Sequence, residues 1–371
     1  MLKRGATMLE VMRNLLVVTV CCCLPALAQE GLRMNQIQFV GTHNSYHAGL
    51  APGEMTILSK QNPAAAESLA YRHQPIAAQL DAGARQLELD IYGDAQGSLF
   101  ADPLFLRLAA KEGTATPMPA GWAEAMKKPG LKVLHVSDVD IRSHCWTLVS
   151  CLQMVKAWSK AHPGHLPIYI QLENKDGKPR DGFVTPETIT KATMDTMDTE
   201  IRSVFAPDEV VTPDVVRGKQ ATLEAAVLQE GWPLLDSARG KVVFMLDQER
   251  VTPLYTDGHP SLRGRMAFTA GVPGTPDAAF VKKNNPLDKD IVELVRKGYL
   301  VRTMTDGGAK AVRAGDTLRR DRAIQSGAQI LSTDYPYEWK AAGSGYSVAI
   351  PGTVRCNPVN APKSCVVKGT Y

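Results

Sequence analysis

The chain carries almost no charge imbalance: 42 lysines and arginines face 38 aspartates and glutamates, a formal net charge of +4 over 371 residues. That excludes the dense basic footprint of a nucleic-acid binder. Long apolar runs are equally scarce. Beyond the first 28 residues nothing approaches the roughly 18 to 20 apolar residues needed to cross a bilayer. A close C-x-x-C pair is missing, which argues against a structural zinc site. No G-x-G-x-x-G turn follows the first strand-like segment, which argues against a dinucleotide-binding open sheet. Neither a D-x-D-x-D-G calcium loop nor an internal repeat is visible.

What remains is an ordinary globular composition, 44% hydrophobic and 22% charged, long enough for one large domain or two average ones. Residues 1–28 have the pattern of an export signal. Lys3, Arg4 and Arg13 precede the apolar run 15–24, and Ala26-Leu27-Ala28 supplies a small-residue cleavage pattern. Lipidation at Cys22 or Cys23 is the competing reading. Export to the periplasm or the medium is therefore expected. Removing the signal leaves Cys145, Cys151, Cys356 and Cys365. Four cysteines in an exported chain predict two disulfides with three possible connectivities, and the local pairs Cys145–Cys151 and Cys356–Cys365 are favoured.

Strand patterns recur at 37–40, 86–92, 132–136, 166–173, 242–247, 266–269, 299–303 and 329–333, mostly separated by helical spacing. One such helix is read at 148–158 from Leu148, Cys151, Leu152, Val155 and Trp158. Residues 101–130, with four prolines, read as a long irregular insertion, and 341–371 as a surface extension pinned by Cys356–Cys365. Eight strands over about 300 residues predict a parallel (β/α)8 barrel spanning 29–340, with a doubly wound open sheet as the rival.

A barrel presents its chemistry where the strands end. Those ends offer His43 and Asn44, then Glu88 and Asp90, then His135, then Glu173. Each has a bland explanation; Gln86, Glu88 and Asp90, for instance, alternate with Leu87, Leu89 and Ile91 as a solvated strand face would. Converging in one site, three carboxylates repel unless protonated or bound to a cation. Three carboxylates and an amide oxygen form a hard donor set that suits Ca2+, with Mg2+ second. Such a cation leaves His43 and His135 free as a general base and general acid.

The run Thr42-His43-Asn44-Ser45-Tyr46 resembles the first-strand motif of phosphoinositide-specific phospholipases C. The run Gly83-Ala84-Arg85-Gln86-Leu87-Glu88-Leu89-Asp90 resembles their second motif, and Leu172-Glu173-Asn174 their fourth-strand motif. Residues 302–308, 316–321 and 326–336 resemble the carboxyl-terminal half-barrel of the calcium-dependent, secreted bacterial branch. The resemblance spans roughly 35–340. It implies that His43 takes the proton from the inositol 2-hydroxyl and that His135, with His144 as its rival, protonates the departing diacylglycerol oxygen. It also implies that Asn44, Glu88, Asp90 and Glu173 hold Ca2+, and that a cyclic inositol phosphate forms first.

Lys175 and Arg302, at strand ends, are candidates for phosphate contacts, and Asp334 with Tyr335 for contacts to the ring. No dense lysine cluster follows the fifth strand, so a lightly phosphorylated inositol lipid or another phosphodiester is expected. His47 and His73 read as loop hydrogen-bonding groups. Membrane contact would be transient and made by the barrel rim, with Trp122 and Trp146 as candidates. A glycerophosphodiester-type enzyme using water, and an inactive headgroup-binding barrel, are the alternatives. The sequence leaves the oligomeric state open.

Overall fold

The structure is a computed structural model that describes residues 31–177 and 181–369. The expected export signal, 1–28, lies outside the described residues. The compact unit beginning at Leu32 carries all the elements that follow. Its strands are β1 (Ile37–Thr42), β2 (Gln86–Tyr92), β3 (Lys132–Val133), β4 (Ile168–Lys175) and β5 (Val242–Leu246), then β6 (Ala267–Phe268), β7 (Phe280–Lys282), β8 (Leu300–Met304), β9 (Ile330–Thr333) and β10 (Val354–Cys356). Eight of them lie parallel in the order β6-β5-β4-β2-β1-β9-β8-β7. A parallel bridge between Ala270 and Phe280 joins the two ends. The result is the nearly closed parallel barrel that the strand–helix rhythm predicts.

The membership of the eight differs from the sequence reading. Residues 132–136 are not a barrel stave. Only Lys132 and Val133 pair, and they run antiparallel to Tyr92 and Ile91 at the end of β2. The missing stave is β7, which pairs Phe280, Val281 and Lys282 with Leu300, Val301 and Arg302 of β8. Three residues after a glycine- and proline-containing loop give too short an alternation to be read as a strand. The 101–130 insertion is also less irregular than expected, with helices at Leu104–Lys111 and Trp122–Lys127. The tail is packed rather than merely pinned: β10 pairs antiparallel with β1, and Tyr346, Val348 and Ile350 are buried against Val40 and Leu331. Both favoured disulfides, Cys145–Cys151 and Cys356–Cys365, are present.

Helices around the sheet bury the stripes expected of them. Leu148–Ala161 buries Leu148, Cys151, Leu152, Val155 and Trp158, and its N-cap Thr147 accepts from the Ser150 amide. The face of β2 opposite its leucines is no wet surface: Gln86, Glu88 and Asp90 are 0–1% exposed. Parallel register sets Glu88 beside Gln171 and Asp90 beside Glu173 on β4. At Gly41 a Cβ would lie 2.1 Å from Gln86 Oε1, so only glycine lets β1 approach β2 this closely.

Candidate active site

The end of β1 turns sharply. Asn44 adopts φ 49°, a left-handed conformation that asparagine tolerates better than most residues. Its amide nitrogen donates to Tyr71 Oη at 2.9 Å, while its Oδ1 is buried without a hydrogen-bond partner. Glu88, Asp90 and Glu173 each offer an oxygen within 4.8 Å of the other two. Burial, followed by repulsion from Glu173, holds the Asp90 carboxyl well above the usual carboxylate range. Burial also raises Glu88, against the pull of Arg302 and His43. Crowded carboxylates, two of them buried, are what a hard divalent cation relieves, and the orphaned Asn44 oxygen is a further hard donor at the end of β1, so these residues fit Ca2+.

Lys175 and Arg302 stand among these carboxylates. Lys175 Nζ is 3.0 Å from Asp90 Oδ2 and 2.9 Å from Glu173 Oε1. The buried Arg302 donates through Nη2 to Glu88 Oε2 at 2.7 Å and to Ser332 Oγ at 3.0 Å. Lys282 pairs with Asp247 at 2.7 Å, and Asp247 accepts from Gln171. The upper lumen is thus a charge-compensated network of side chains drawn from six strands or their ends.

His43 Nδ1 donates to Asp334 Oδ1 at 2.9 Å, and its Nε2 lies 3.6 Å from Glu88 Oε1. Burial opposes protonation, but Asp334 and Glu88 outweigh it and push the His43 pKa up to about 10. Asp334 is itself held by Asp306, whose Oδ2 accepts from the Asp334 amide at 2.7 Å. His135 Nδ1 bonds Asp140 Oδ2 at 2.9 Å, and Tyr92 Oη fixes the His135 backbone oxygen at 3.1 Å. Burial, the largest influence, pulls the His135 pKa down despite Asp140, and Lys175 adds to the pull. The rival, His144, is tied through Nε2 to the His73 backbone oxygen at 2.8 Å. Burial likewise lowers His144.

Sequence reasoning assigned no role to Asp140, Asp306 or Tyr71, because each acts through a neighbour that only the fold supplies. His47 also departs from expectation: it is buried, with Nε2 2.9 Å from Asp140 Oδ2, rather than a loop hydrogen-bonding group. His73 does bond backbone, through Nε2 to the His43 oxygen at 2.6 Å. Trp122 is buried and Trp146 packs partly buried beside it, so neither is an exposed rim anchor. A cavity of about 580 Å³ between the β2–β3 flap and helix Lys191–Val204 takes in none of these catalytic candidates.

Fold and side chains together give a parallel barrel whose strand ends carry a cluster of three carboxylates and two imidazoles in contact with carboxylates. The model of one family, "Phosphoinositide phospholipase C, Ca2+-dependent", matches residues 32–358, and the chain belongs to that family. Calcium is accordingly its cofactor. Similar solved structures include a calcium-dependent phosphoinositol-specific phospholipase C from a Pseudomonas species in apo form. That match has 17% identity and a TM-score of 0.53 over 89% of this chain and 96% of that one. A second structure, described with a myoinositol complex, matches at 17% identity and a TM-score of 0.52 over 88% and 96%. A calcium-dependent phosphatidylinositol-specific phospholipase C from Streptomyces antibioticus matches at 20% identity and a TM-score of 0.49 over 82% and 95%. No curated protein matches the chain. Among the described residues no helix is long and apolar enough to cross a membrane.

Proposed function

We propose that the protein cleaves phosphatidylinositol-type lipids to diacylglycerol and a cyclic inositol phosphate, which water then opens. His43 is the general base and His135 the general acid, while Asn44, Glu88, Asp90 and Glu173 hold Ca2+. The observation that carries the reading is the contact of each imidazole with a carboxylate, His43 with Asp334 and His135 with Asp140, both at 2.9 Å. A carboxylate on Nδ1 fixes the ring and turns Nε2 toward the reacting atoms. His43 accepts the proton of the inositol 2-hydroxyl, and that oxygen attacks phosphorus within the same molecule. Such proximity contributes up to about 7–11 kcal/mol in favourable geometry. The departing glycerol oxygen takes its proton from His135, which the negative phosphate favours in its charged form.

When bound at these residues, calcium would lower the pKa of the attacking hydroxyl, neutralise charge on phosphorus and offset the carboxylate field that holds His43 protonated. In this reading Lys175 and Arg302 contact phosphate, and Asp334 orients the ring as well as His43. Each of the lumen cations Lys175, Arg302 and Lys282 is engaged by a carboxylate, which supports a preference for a lightly phosphorylated ring. Export, with transient contact between barrel rim and lipid, belongs to the same proposal. The 1–28 pattern and the two disulfides support it.

Phosphorus NMR of the first product tests the reading. A cyclic phosphate appearing before any monoester is expected. A monoester formed directly would show that water is the nucleophile and would overturn it.

A further inference from the structure

Asp140 lies between two imidazoles: His47 Nε2 and His135 Nδ1 are each 2.9 Å from its Oδ2, and the rings meet edge to face at 5.9 Å. His47 and Asp140 are fully buried, while the His135 side chain keeps 18% exposure and gives the cluster its opening to solvent. Only His135 makes an aligned hydrogen bond to the carboxylate. Both ring nitrogens of His47, and Asp140 Oδ1, are buried without a hydrogen-bond partner. His47 Nε2 thus meets the carboxylate at contact distance but outside hydrogen-bond geometry, and its Nδ1 meets nothing; buried polar atoms so placed need an explanation, since burial forfeits their bonds to water.

One ligating atom from each residue lies within 4.8 Å of the others. Zinc bonded at roughly 2.0–2.2 Å brings neighbouring ligand atoms a little over 3 Å apart, within reach of small rotations here. Two imidazoles and one carboxylate are the borderline donors that zinc selects, with a fourth position left for water. The set shares no residue with Asn44, Glu88, Asp90 and Glu173, whose hard oxygens suit calcium.

We propose that His47, His135 and Asp140 form a second cation site of the zinc class, and that filling it inhibits the enzyme. The inhibitory half rests on the reading of His135 as proton donor; the binding half does not. Coordination at His135 Nδ1 requires that nitrogen to be deprotonated: the charged ring releases that proton to solvent, the neutral ring shifts its single proton to Nε2, and a metal bond replaces the hydrogen bond to Asp140. The ring then carries one proton, on Nε2, and the metal's charge opposes a return to the imidazolium form.

Calorimetric titration of the calcium-saturated protein with Zn2+, and the visible spectrum with Co2+, test the site without reference to turnover. One equivalent of Zn2+ is expected, with Co2+ absorbing as a low-symmetry nitrogen–oxygen complex. His47→Asn is expected to weaken zinc binding at least roughly 100-fold, the upper end of what even an outer-shell partner contributes. Glu88→Gln is expected to leave zinc binding in place. Should the His47 variant fail to fold, X-ray absorption of the zinc-loaded wild type decides: two imidazoles support the site, and an all-oxygen shell overturns it. Absence of zinc binding, or binding that His47→Asn leaves unchanged, overturns the site alone. Zinc bound at these residues with full turnover overturns the inhibition and, with it, His135 as proton donor.

Discussion

His73 shows what burial does to an imidazole with little room for charge. Burial, outweighing Asp334, lowers its pKa to about 4. The unfolded chain therefore binds a proton near pH 6.5 that the folded one refuses, so His73 contributes stability above pH 6.5 that is lost progressively as pH falls toward 4. The loss amounts to about 3 kcal/mol from this group. His43 has the opposite sign and a different window: its contribution is complete below pH 6.5 and lost as pH rises toward 10 in metal-free protein. Thermal unfolding from pH 7 to 4 should show the His73 slope and a flatter slope in His73→Gln; equal slopes would remove His73 as the cause. For catalysis, His43→Ala and His135→Ala should each lower turnover roughly 100- to 10,000-fold. A milder loss at His135 with a severe one at His144 would move the proton donor to the rival position.

Among the elements, β2 and β4 matter most, because their register sets Asp90 beside Glu173, with Glu88 close to both, and this charge needs compensation. Lys175 supplies some of it in the absence of metal. Lys175→Gln should therefore lower the melting temperature of calcium-free protein and enlarge the rise on adding Ca2+, read by thermal shift. An identical calcium shift in both proteins would mean that Lys175 does not compensate the cluster. At the other end, Cys356–Cys365 closes a short loop beside β10. Replacing both cysteines by alanine should cost about 2–3 kcal/mol in chemical unfolding. Strand identity was legible where alternation or an unbroken apolar run extended over five residues or more, as in β2, β4 and β5. The flap strand β3 and the stave β7 were exchanged in the count. Two or three residues carry no period, and pairing direction leaves no mark in a hydrophobic pattern.

For the molecule as a whole, barrel closure turns sequence-distant residues into one site. The cluster of Glu88, Asp90 and Glu173 was legible because strand alternation points Glu88 and Asp90 to one face and a barrel gathers strand ends. Asp140 and Asp306 were not, since loops of no fixed geometry carry them to His135 and Asp334. Lys175 ends β4 as expected, whereas Arg302 lies within β8 rather than at its end, and both pair with carboxylates, a consequence of lumen packing that no single strand encodes. The account depends on calcium held by oxygens from β2, β4 and the end of β1 beside the imidazole pair. The most direct test is phosphatidylinositol turnover as free Ca2+ is titrated to zero with a chelator. Turnover should fall with the free ion and return when it is restored; undiminished turnover with Ca2+ removed would contradict the four-ligand site.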